Sequence, residues 1–311
     1  MIGTRNFPLT RFVTNQVRPL LLIAAAALAA CHPQTEQAKT LLASCSIGDA
    51  KACNQIAVRF QKGEYVLRDA DRAASLFDKA CDGGIGDGCA SLGQMYQWGS
   101  GVKRDSARAP ELFRRACDKG GMEGCAQLGM LHRRGAGVPQ DIPRAATLFR
   151  QACDGDNLNG CSQLGALHAA GEGVARDFVR ATDLFRKSCD GKVPAGCVGL
   201  GRLHAAGTGV QKNDSIAAAL YKKACDARDI SGCFYLAAAA EEGLGIPQNY
   251  NRAYFIYREA CEDRHAESCY RLAGLFEKGA GVWRDSQRAT QLMRRACDLG
   301  HKEACPKPKA T

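Results

Sequence analysis

The chain has 311 residues, an ordinary hydrophobic content, 17 cysteines and a formal net charge of +10 at pH 7. So many thiols are untypical of a reducing cytosol, and the absence of any C-x-x-C pair excludes the basic spacing of zinc ribbons, thioredoxin-like sites and c-type haem attachment. Three positive charges and no acidic residue precede position 31, so the other 281 residues carry +7. This modest excess favours acidic partners mildly and supports nucleic-acid binding only weakly.

The first predicted element is a signal peptide at residues 1–30. Arg5, Arg11 and Arg18 precede an apolar run, "LLLIAAAALAAC", that extends from Leu20 to Cys31. As a helix, the apolar part of this run would span roughly 16 Å, about half of a bilayer core. It is therefore interpreted as a cleaved targeting segment and not as a membrane span.

The end of the apolar run, Leu28–Cys31, resembles the lipobox of bacterial lipoproteins. The resemblance implies diacylation of the Cys31 sulfur and cleavage before it, so that residues 31–44 form a lipidated N-terminus and a capping helix. His32 differs from the aspartate that retains lipoproteins at the inner membrane of enteric bacteria, which by analogy implies an outer-membrane anchor facing the periplasm. The alternative is ordinary cleavage at an A-x-A motif, Ala27–Ala29, which would release a secreted protein.

The remaining sixteen cysteines form eight C-x7-C pairs, and each pair begins 36 residues after the previous one. This register holds without insertion or deletion over residues 45–305, which predicts an array of stacked supersecondary units. The pairs are Cys45/Cys53, Cys81/Cys89, Cys117/Cys125, Cys153/Cys161, Cys189/Cys197, Cys225/Cys233, Cys261/Cys269 and Cys297/Cys305.

Each unit is predicted to contain two helices joined by a glycine-rich turn. In "CAQLGMLHRR", Leu128, Leu131 and His132 share one face of a first helix, here named helix A. Gly135 is typical of the left-handed residue that ends a helix, and Asp141 is typical of the N-cap of the next one, helix B. Equivalent residues recur every 36 positions, so each helix B ends at the first cysteine of a pair.

The segment "AQLGMLHRRGAGVPQDIPRAATLFRQA", Ala126–Ala152, resembles the Sel-one-like repeat, a relative of the tetratricopeptide repeat. With a C-x7-C pair at every junction, the chain is similar to the Helicobacter cysteine-rich protein family. The resemblance implies an all-α fold, a right-handed α-solenoid of about seven 36-residue helix-turn-helix repeats over residues 45–305, linked by disulfides. A short basic tail, residues 306–311, follows the array.

Two disulfide patterns are compatible with stacked antiparallel hairpins. The end of helix B lies near the start of its own helix A and near the start of the next one, so Cys81 can reach Cys53 or Cys89. Pairing within hairpins would leave Cys45 and Cys305 without partners, whereas pairing across each junction uses all sixteen cysteines. We therefore expect eight disulfides that link successive repeats, each stabilising the fold by roughly 2.5 kcal/mol.

The Helicobacter relatives have been described as penicillin-binding proteins with weak β-lactamase activity, so the resemblance implies a β-lactamase-like or penicillin-binding hydrolase as the alternative function. A serine site of that class needs S-x-x-K together with S-D-N and K-T-G. The S-x-x-K from Ser100 to Lys103 lies in a predicted turn, and the other two motifs do not occur in the sequence. No catalytic residue is predicted.

Three histidines, His132, His168 and His204, replace the usual aromatic residue at one repeat position, and Ala240 truncates it in the sixth unit. Repeats stacked at about 8–10 Å per helix layer hold these side chains too far apart to share one zinc ion. We interpret them as packed aromatic substitutes; a stripe that protonates in acid is the alternative. No metal or cofactor is predicted, and the sixth unit is expected to pack more loosely.

The helix A positions two, five and nine residues after each second cysteine vary between repeats, whereas the packing positions repeat. In relatives with this architecture helix A lines the concave face, so the variable stripe is expected to contact a ligand, although unconstrained surface positions would vary as well. Since Trp, Tyr and Arg are favoured interface anchors, the predicted contacts are Trp98, Arg134, Arg202, Tyr235 and Arg271.

The function predicted from these features is a cell-envelope lipoprotein that binds an extended peptide, a protein or a peptidoglycan fragment. It would contact the outer membrane through its lipid anchor and would not bind nucleic acid. A structural spacer without a ligand is a third interpretation, after the hydrolase.

Overall fold

A computed structural model describes residues 35–306, in which fifteen α-helices and one short 3-10 helix occur and no β-strand is present. Residues 35–46 are helical and are named α1. The other helices are α2 (Ala50–Lys62), α3 (Ala70–Asp82), α4 (Gly86–Trp98), α5 (Arg108–Asp118), α6 (Met122–Arg134), α7 (Ile142–Asp154), α8 (Leu158–Ala170), α9 (Phe178–Asp190), α10 (Pro194–Ala206), α11 (Asp214–Asp226), α12 (Ile230–Glu242), α13 (Tyr250–Glu262), α14 (Ala266–Lys278), α15 (Ser286–Asp298) and the 3-10 helix Lys302–Ala304. None of the helices in this part of the chain is long and apolar enough to cross a membrane.

The predicted start and stop signals of the helices are present. The Asp141 carboxylate accepts a hydrogen bond of 2.9 Å from the backbone N–H of Arg144, which caps α7. Helix α8 ends at Gly171, whose φ of 72° is left-handed and whose N–H donates to the carbonyl of Leu167 at 2.8 Å. The 36-residue pattern therefore reports helix boundaries directly.

The second glycine of each turn has a packing role. Gly173 has a φ of +67°, and a Cβ atom placed on it would lie 2.8 Å from the carbonyl carbon of Ile142, the first residue of α7. Only glycine allows the turn between α8 and α9 to approach the start of the preceding helix B so closely. This contact sets one repeat against the next.

The chain divides into two compact units, one up to Gly121 and one from Met122 onward. Within each unit, each helix from α2 onward packs against the helix that follows it. In the second unit, the A helices α8, α10 and α12 also contact one another, which places them on the same side of the stack. This arrangement confirms the all-α fold and shows solenoid-like packing of helix pairs within each unit.

The core of the second unit is a ladder of helix B rings at one repeat position, with Phe149, Phe185, Tyr221 and Tyr257 all buried. A glycine of helix A faces each of the first three rings, since a Cβ atom on Gly129, for example, would lie 2.8 Å from the ring of Phe149. In the sixth unit, Ala240 and Tyr257 are fully buried. The expected looser packing is therefore not found at this position.

Disulfide bonds link the repeat junctions, with Cα–Cα distances of 4.4 to 4.8 Å. The internal ones join the end of one helix B to the start of the next helix A, the first starts from α1, and the last joins α15 to Cys305 after the 3-10 helix. Linkage across the repeat junctions is thus found, and not closure within hairpins. The bonded pairs are Cys45–Cys53, Cys81–Cys89, Cys153–Cys161, Cys189–Cys197, Cys225–Cys233, Cys261–Cys269 and Cys297–Cys305. Cys117 and Cys125 are also disulfide-bonded.

Candidate binding groove

A groove of about 730 Å³ lies on the helix A side of the second unit. Its walls are formed by the A helices α8, α10 and α12, with Arg271 of α14 at one end and Arg133 of α6 also contributing. Residues of the B helices α9 and α11 form the floor. The groove therefore extends over several successive repeats, which is the geometry needed to hold an extended ligand.

Small side chains give the groove its depth. Ala166, Ala170 and Ala238 line it, together with Gly199. A Cβ atom on Gly199 would lie 2.5 Å from the ring of Phe185, so glycine is required here for the ring to reach the floor. The floor is consequently apolar and suited to burying alanine-sized or larger apolar side chains of a ligand.

Two tyrosines and an arginine form the central feature of the groove. The rings of Tyr221 and Tyr235 stack with centroids 5.1 Å apart, and the Cζ atom of Arg202 lies 5.6 Å from the Tyr235 centroid. Burial, and secondarily the neighbouring Tyr235, raises the pKa of Tyr221 to about 12, so its hydroxyl stays neutral at physiological pH. Exposed Arg202 forms no ion pair with any residue between 35 and 306, and its charge is available to a ligand.

The other cation at the end of the groove is already compensated. Arg271 lies 3.6 Å from a Glu241 carboxylate oxygen, 3.4 Å from one of Glu242 and 3.9 Å from one of Glu267. The buried Tyr257 donates a hydrogen bond of 2.9 Å to Glu241. Arg271 is therefore held in place by carboxylates, in contrast to Arg202.

The predicted contact residues divide between two places. Arg202, Tyr235 and Arg271 line the same groove, whereas Arg134 is exposed and does not line it. Trp98 is the last residue of α4 in the first unit and is 75% exposed. Whether any of the five binds a ligand remains a prediction, and Cys31 lies outside the described residues.

Sequence reasoning missed Arg133, which does line the groove. Its guanidinium donates to the Gln163 side chain at 3.0 Å and lies 3.7 Å from a Glu172 carboxylate oxygen. Both contacts are to residues of the next repeat. The 36-residue pattern of helix A does not predict contacts between repeats. The sequence signal that could have indicated Arg133 is its place next to Arg134, a predicted contact of the variable stripe.

The repeated histidines support the turns. The Nδ1 atom of His132 lies 3.2 Å from the carbonyl oxygen of Pro139, and that of His168 lies 3.2 Å from that of Ala175. In His204 the corresponding distance, to Gln211, is 3.4 Å. Each imidazole thus holds the turn that follows its own helix, and no group of three potential metal ligands occurs between residues 35 and 306.

The S-x-x-K pair lies at the surface. Ser100 directly follows Gly99, the C-cap residue of α4, and its backbone N–H donates to the carbonyl of Met95 at 3.0 Å. Lys103 is exposed in the same turn. The segment thus serves as a helix end, and no described contact favours a hydrolytic role for it.

Comparison with known proteins identifies the repeat. The Sel1 repeat family matches seven successive segments, which together cover most of the chain. The segments are residues 50–85, 86–121, 123–157, 159–192, 194–229, 230–265 and 266–301. Each contains one helix A and the following helix B. No functionally curated protein matches this chain.

Several solved structures are similar to this one. The structure of c5321, described as a protective antigen present in uropathogenic Escherichia coli strains, is 26% identical with a TM-score of 0.64, and the match covers 86% of this chain but only 57% of that protein. A Sel1 repeat protein from Oxalobacter formigenes is 18% identical with a TM-score of 0.68 over 83% of this chain and 98% of its own, which shows the fold alone. Helicobacter pylori cysteine rich protein B is 28% identical over 40% of this chain and 88% of its own, with a TM-score of 0.33.

Proposed function

This chain belongs to the Sel1 repeat family, whose helical arrays are scaffolds suited to protein binding, and we propose that it is an extracytoplasmic scaffold that captures an extended peptide segment in the groove of α8, α10 and α12. The observation that carries the proposal is the exposed, unpaired Arg202 above the stacked tyrosines, beside an apolar floor. These groups complement a ligand that combines a carboxylate with small apolar side chains.

An unfolded protein segment or a peptidoglycan stem peptide has this chemistry. The apolar floor between Ala166 and Ala238 would bury alanine-sized side chains, and Arg202 would pair with a side-chain or terminal carboxylate. Rigidity favours such binding, because the disulfide links limit the entropy that the scaffold loses when the ligand is captured.

The disulfides indicate an oxidising compartment outside the cytoplasm. We further propose that the chain is held at the outer membrane by a lipid on Cys31, on the strength of the apolar run and the Leu28–Cys31 motif. The groove would then face the periplasm, where unfolded envelope proteins and cell-wall peptides occur.

Site-specific photo-crosslinking in cells tests the proposal. A photoreactive amino acid at Ala238, in the groove, is expected to give a defined adduct, while the same group at Val179, which is 64% exposed on α9 and lies outside the groove, is expected to give none. The Ala238 adduct should disappear when Arg202→Gln is added. Equal adducts from both positions, or an Ala238 adduct insensitive to Arg202, would place the ligand elsewhere.

A further inference from the structure

The C-terminal end of the chain, residues 278–311, carries most of the excess positive charge. Residues 278–311 contain eight Lys or Arg and three Asp or Glu, a net +5, whereas residues 31–311 as a whole carry +7. The rest of the array is therefore close to neutral. Residues 278–306, on and around α15, hold six of these cations and all three acidic residues, a net +3; Lys307 and Lys309 lie outside the described residues.

Two ion pairs of α9 have no counterpart on α15. Arg186 of α9 forms an ion pair of 2.9 Å with Asp183, three residues earlier on the same helix. The equivalent residues of α15 are Arg294 and Gln291, so the carboxylate is replaced by an amide. Arg294 consequently has no ion pair with any residue from 35 to 306.

The neighbouring arginine shows the same change. Lys187 of α9 forms an ion pair of 3.0 Å with Asp156 of the preceding repeat. The equivalents of these two residues are Arg295 and Arg264, so an attractive pair has become two cations. Among residues 35–306, Arg295 contacts only the backbone carbonyl of Glu262, to which it donates at 3.4 Å. The exposed Arg294 and Arg295 therefore present positive charges that no described carboxylate neutralises.

Helix α15 also leaves apolar surface uncovered. Of its thirteen residues only Ala289 and Ala296 are buried, and Leu292 and Met293 are half-buried. The residue equivalent to Met293 in the preceding repeat, Tyr257, is fully buried, and its helix α13 packs against both α12 and α14. Within residues 35–306, no further helix pair covers α15 in this way. Its surface thus combines apolar and cationic side chains along one helix.

An exposed indole lies where the chain enters α15. Trp283 is 94% exposed in the turn between α14 and α15, and it borders a shallow cleft with Val282, Arg284 and Arg288. The equivalent residues of the other repeats include no aromatic side chain; they are Leu67, Lys103, Pro139, Ala175, Gln211 and Pro247. An exposed tryptophan beside arginines and aliphatic groups is the composition that membrane interfaces favour.

We propose that α15 and the Trp283 turn form a docking surface for an anionic lipid bilayer. Arg294 and Arg295 would contact anionic headgroups, while Trp283 would enter the interfacial layer beside Val282. A soluble polyanion would use the cations but would gain little from the indole and from Leu292, whereas a bilayer uses both. The contact depends neither on the groove of α8, α10 and α12 nor on a lipid at Cys31.

The two tryptophans of the chain provide the first test. The mature chain without Cys31, residues 32–311, is used with Trp98→Phe, because a Cys31→Ser precursor would retain the basic and apolar residues 1–30, which bind anionic vesicles themselves. This protein cannot be acylated, and Trp283 is its single indole. Its fluorescence emission is expected to shift to shorter wavelength with phosphatidylglycerol-containing vesicles and not with pure phosphatidylcholine vesicles. The shift should reverse in 0.5 M salt, because salt screens the attraction. Absence of binding to the anionic vesicles, or binding with unchanged Trp283 emission, would overturn the proposal.

Charge variants provide the second test. Each arginine near an anionic surface contributes about fivefold in affinity. The double variant Arg294→Gln with Arg295→Gln should therefore lower the vesicle affinity measured by co-sedimentation about 25-fold. The matched control is Arg114→Gln with Arg115→Gln, equivalent positions whose charges are paired with Glu111 and Asp82, and it should leave binding within about twofold. An equal loss of affinity in both variants would mean that net charge alone drives binding, and it would contradict a docking surface at α15. Tight binding of heparin without vesicle binding would assign the surface to a soluble polyanion instead.

Discussion

Arg202 lies above the ring of Tyr235, with its Cζ atom 5.6 Å from the ring centroid, and Tyr235 stacks in turn on Tyr221 of α11. Three helices from two adjacent repeats thus fix the position of one unpaired positive charge. A cation over an aromatic face is attracted to it without being neutralised. Arg202 is therefore preorganised to meet a carboxylate at the wall of an apolar groove.

Replacing Arg202 by Gln should weaken capture of an acidic peptide ligand about tenfold or more, because an ion-paired hydrogen bond to a carboxylate is lost. Calorimetric titration with the peptide identified by crosslinking measures the loss. Arg186→Gln, at an exposed ion pair on α9, is the matched control and should bind normally. Titrating Trp98→Ala and Arg134→Ala tests the two other predicted contacts. A loss there that matches Arg202→Gln would show that the binding surface extends beyond the groove.

Cys31→Ser should leave the precursor unprocessed, since the lipoprotein peptidase acts only after the cysteine sulfur is acylated. Mass spectrometry of the wild-type protein should find Cys31 at the mature N-terminus with an added acyl mass. A mature N-terminus at any other residue, without acyl mass, would contradict the lipoprotein prediction and favour secretion.

The order of helices and their ends could be predicted from sequence, because each depends on local groups that recur every 36 residues. Asp141 caps α7 through the backbone N–H of Arg144 three residues later, and Gly171 ends α8, as the pattern indicates. The groove could not be predicted in the same way. Its depth depends on Gly199 lying against Phe185 of the preceding helix B, a contact between elements that periodicity does not reveal.

Removing one internal disulfide with Cys153→Ala and Cys161→Ala should lower the free energy of unfolding by about 2.5 kcal/mol, the chain-entropy value for so short a loop. Both sulfur atoms are buried, so alanine adds a small cavity to this loss. The same change at Cys297 and Cys305, which are only half-buried at the end of the array, should cost less. Urea denaturation of oxidised wild type and of both variants measures the difference, and equal costs would contradict this ranking.

Alkaline pH should destabilise the fold through two buried tyrosines. Burial raises the pKa of Tyr221 to about 12, and burial followed by the neighbouring Glu241 carboxylate raises the pKa of Tyr257 further. The unfolded chain releases these protons near pH 10 while the folded chain retains them, so stability is full below pH 10 and falls as the pH rises from 10 towards 12. Melting temperatures between pH 8 and 11 should fall less steeply in Tyr221→Phe with Tyr257→Phe. Identical slopes would contradict the assignment.

Two helix A glycines provide a matched pair for the packing of the array. Gly274 of α14 has no atom within 4 Å of the position of an added Cβ, so Gly274→Ala should stabilise the protein by about 0.5–1 kcal/mol through helix propensity. Gly129 of α6 faces Phe149, and an added Cβ would lie 2.8 Å from a ring carbon that is fully buried and has no room to move. Overpacking costs about 1–3 kcal/mol, which exceeds the gain in propensity, so Gly129→Ala should destabilise the protein. Urea denaturation of the two variants gives the sign of each effect. Stabilisation by both would mean that the helix A glycines are not required for the aromatic ladder.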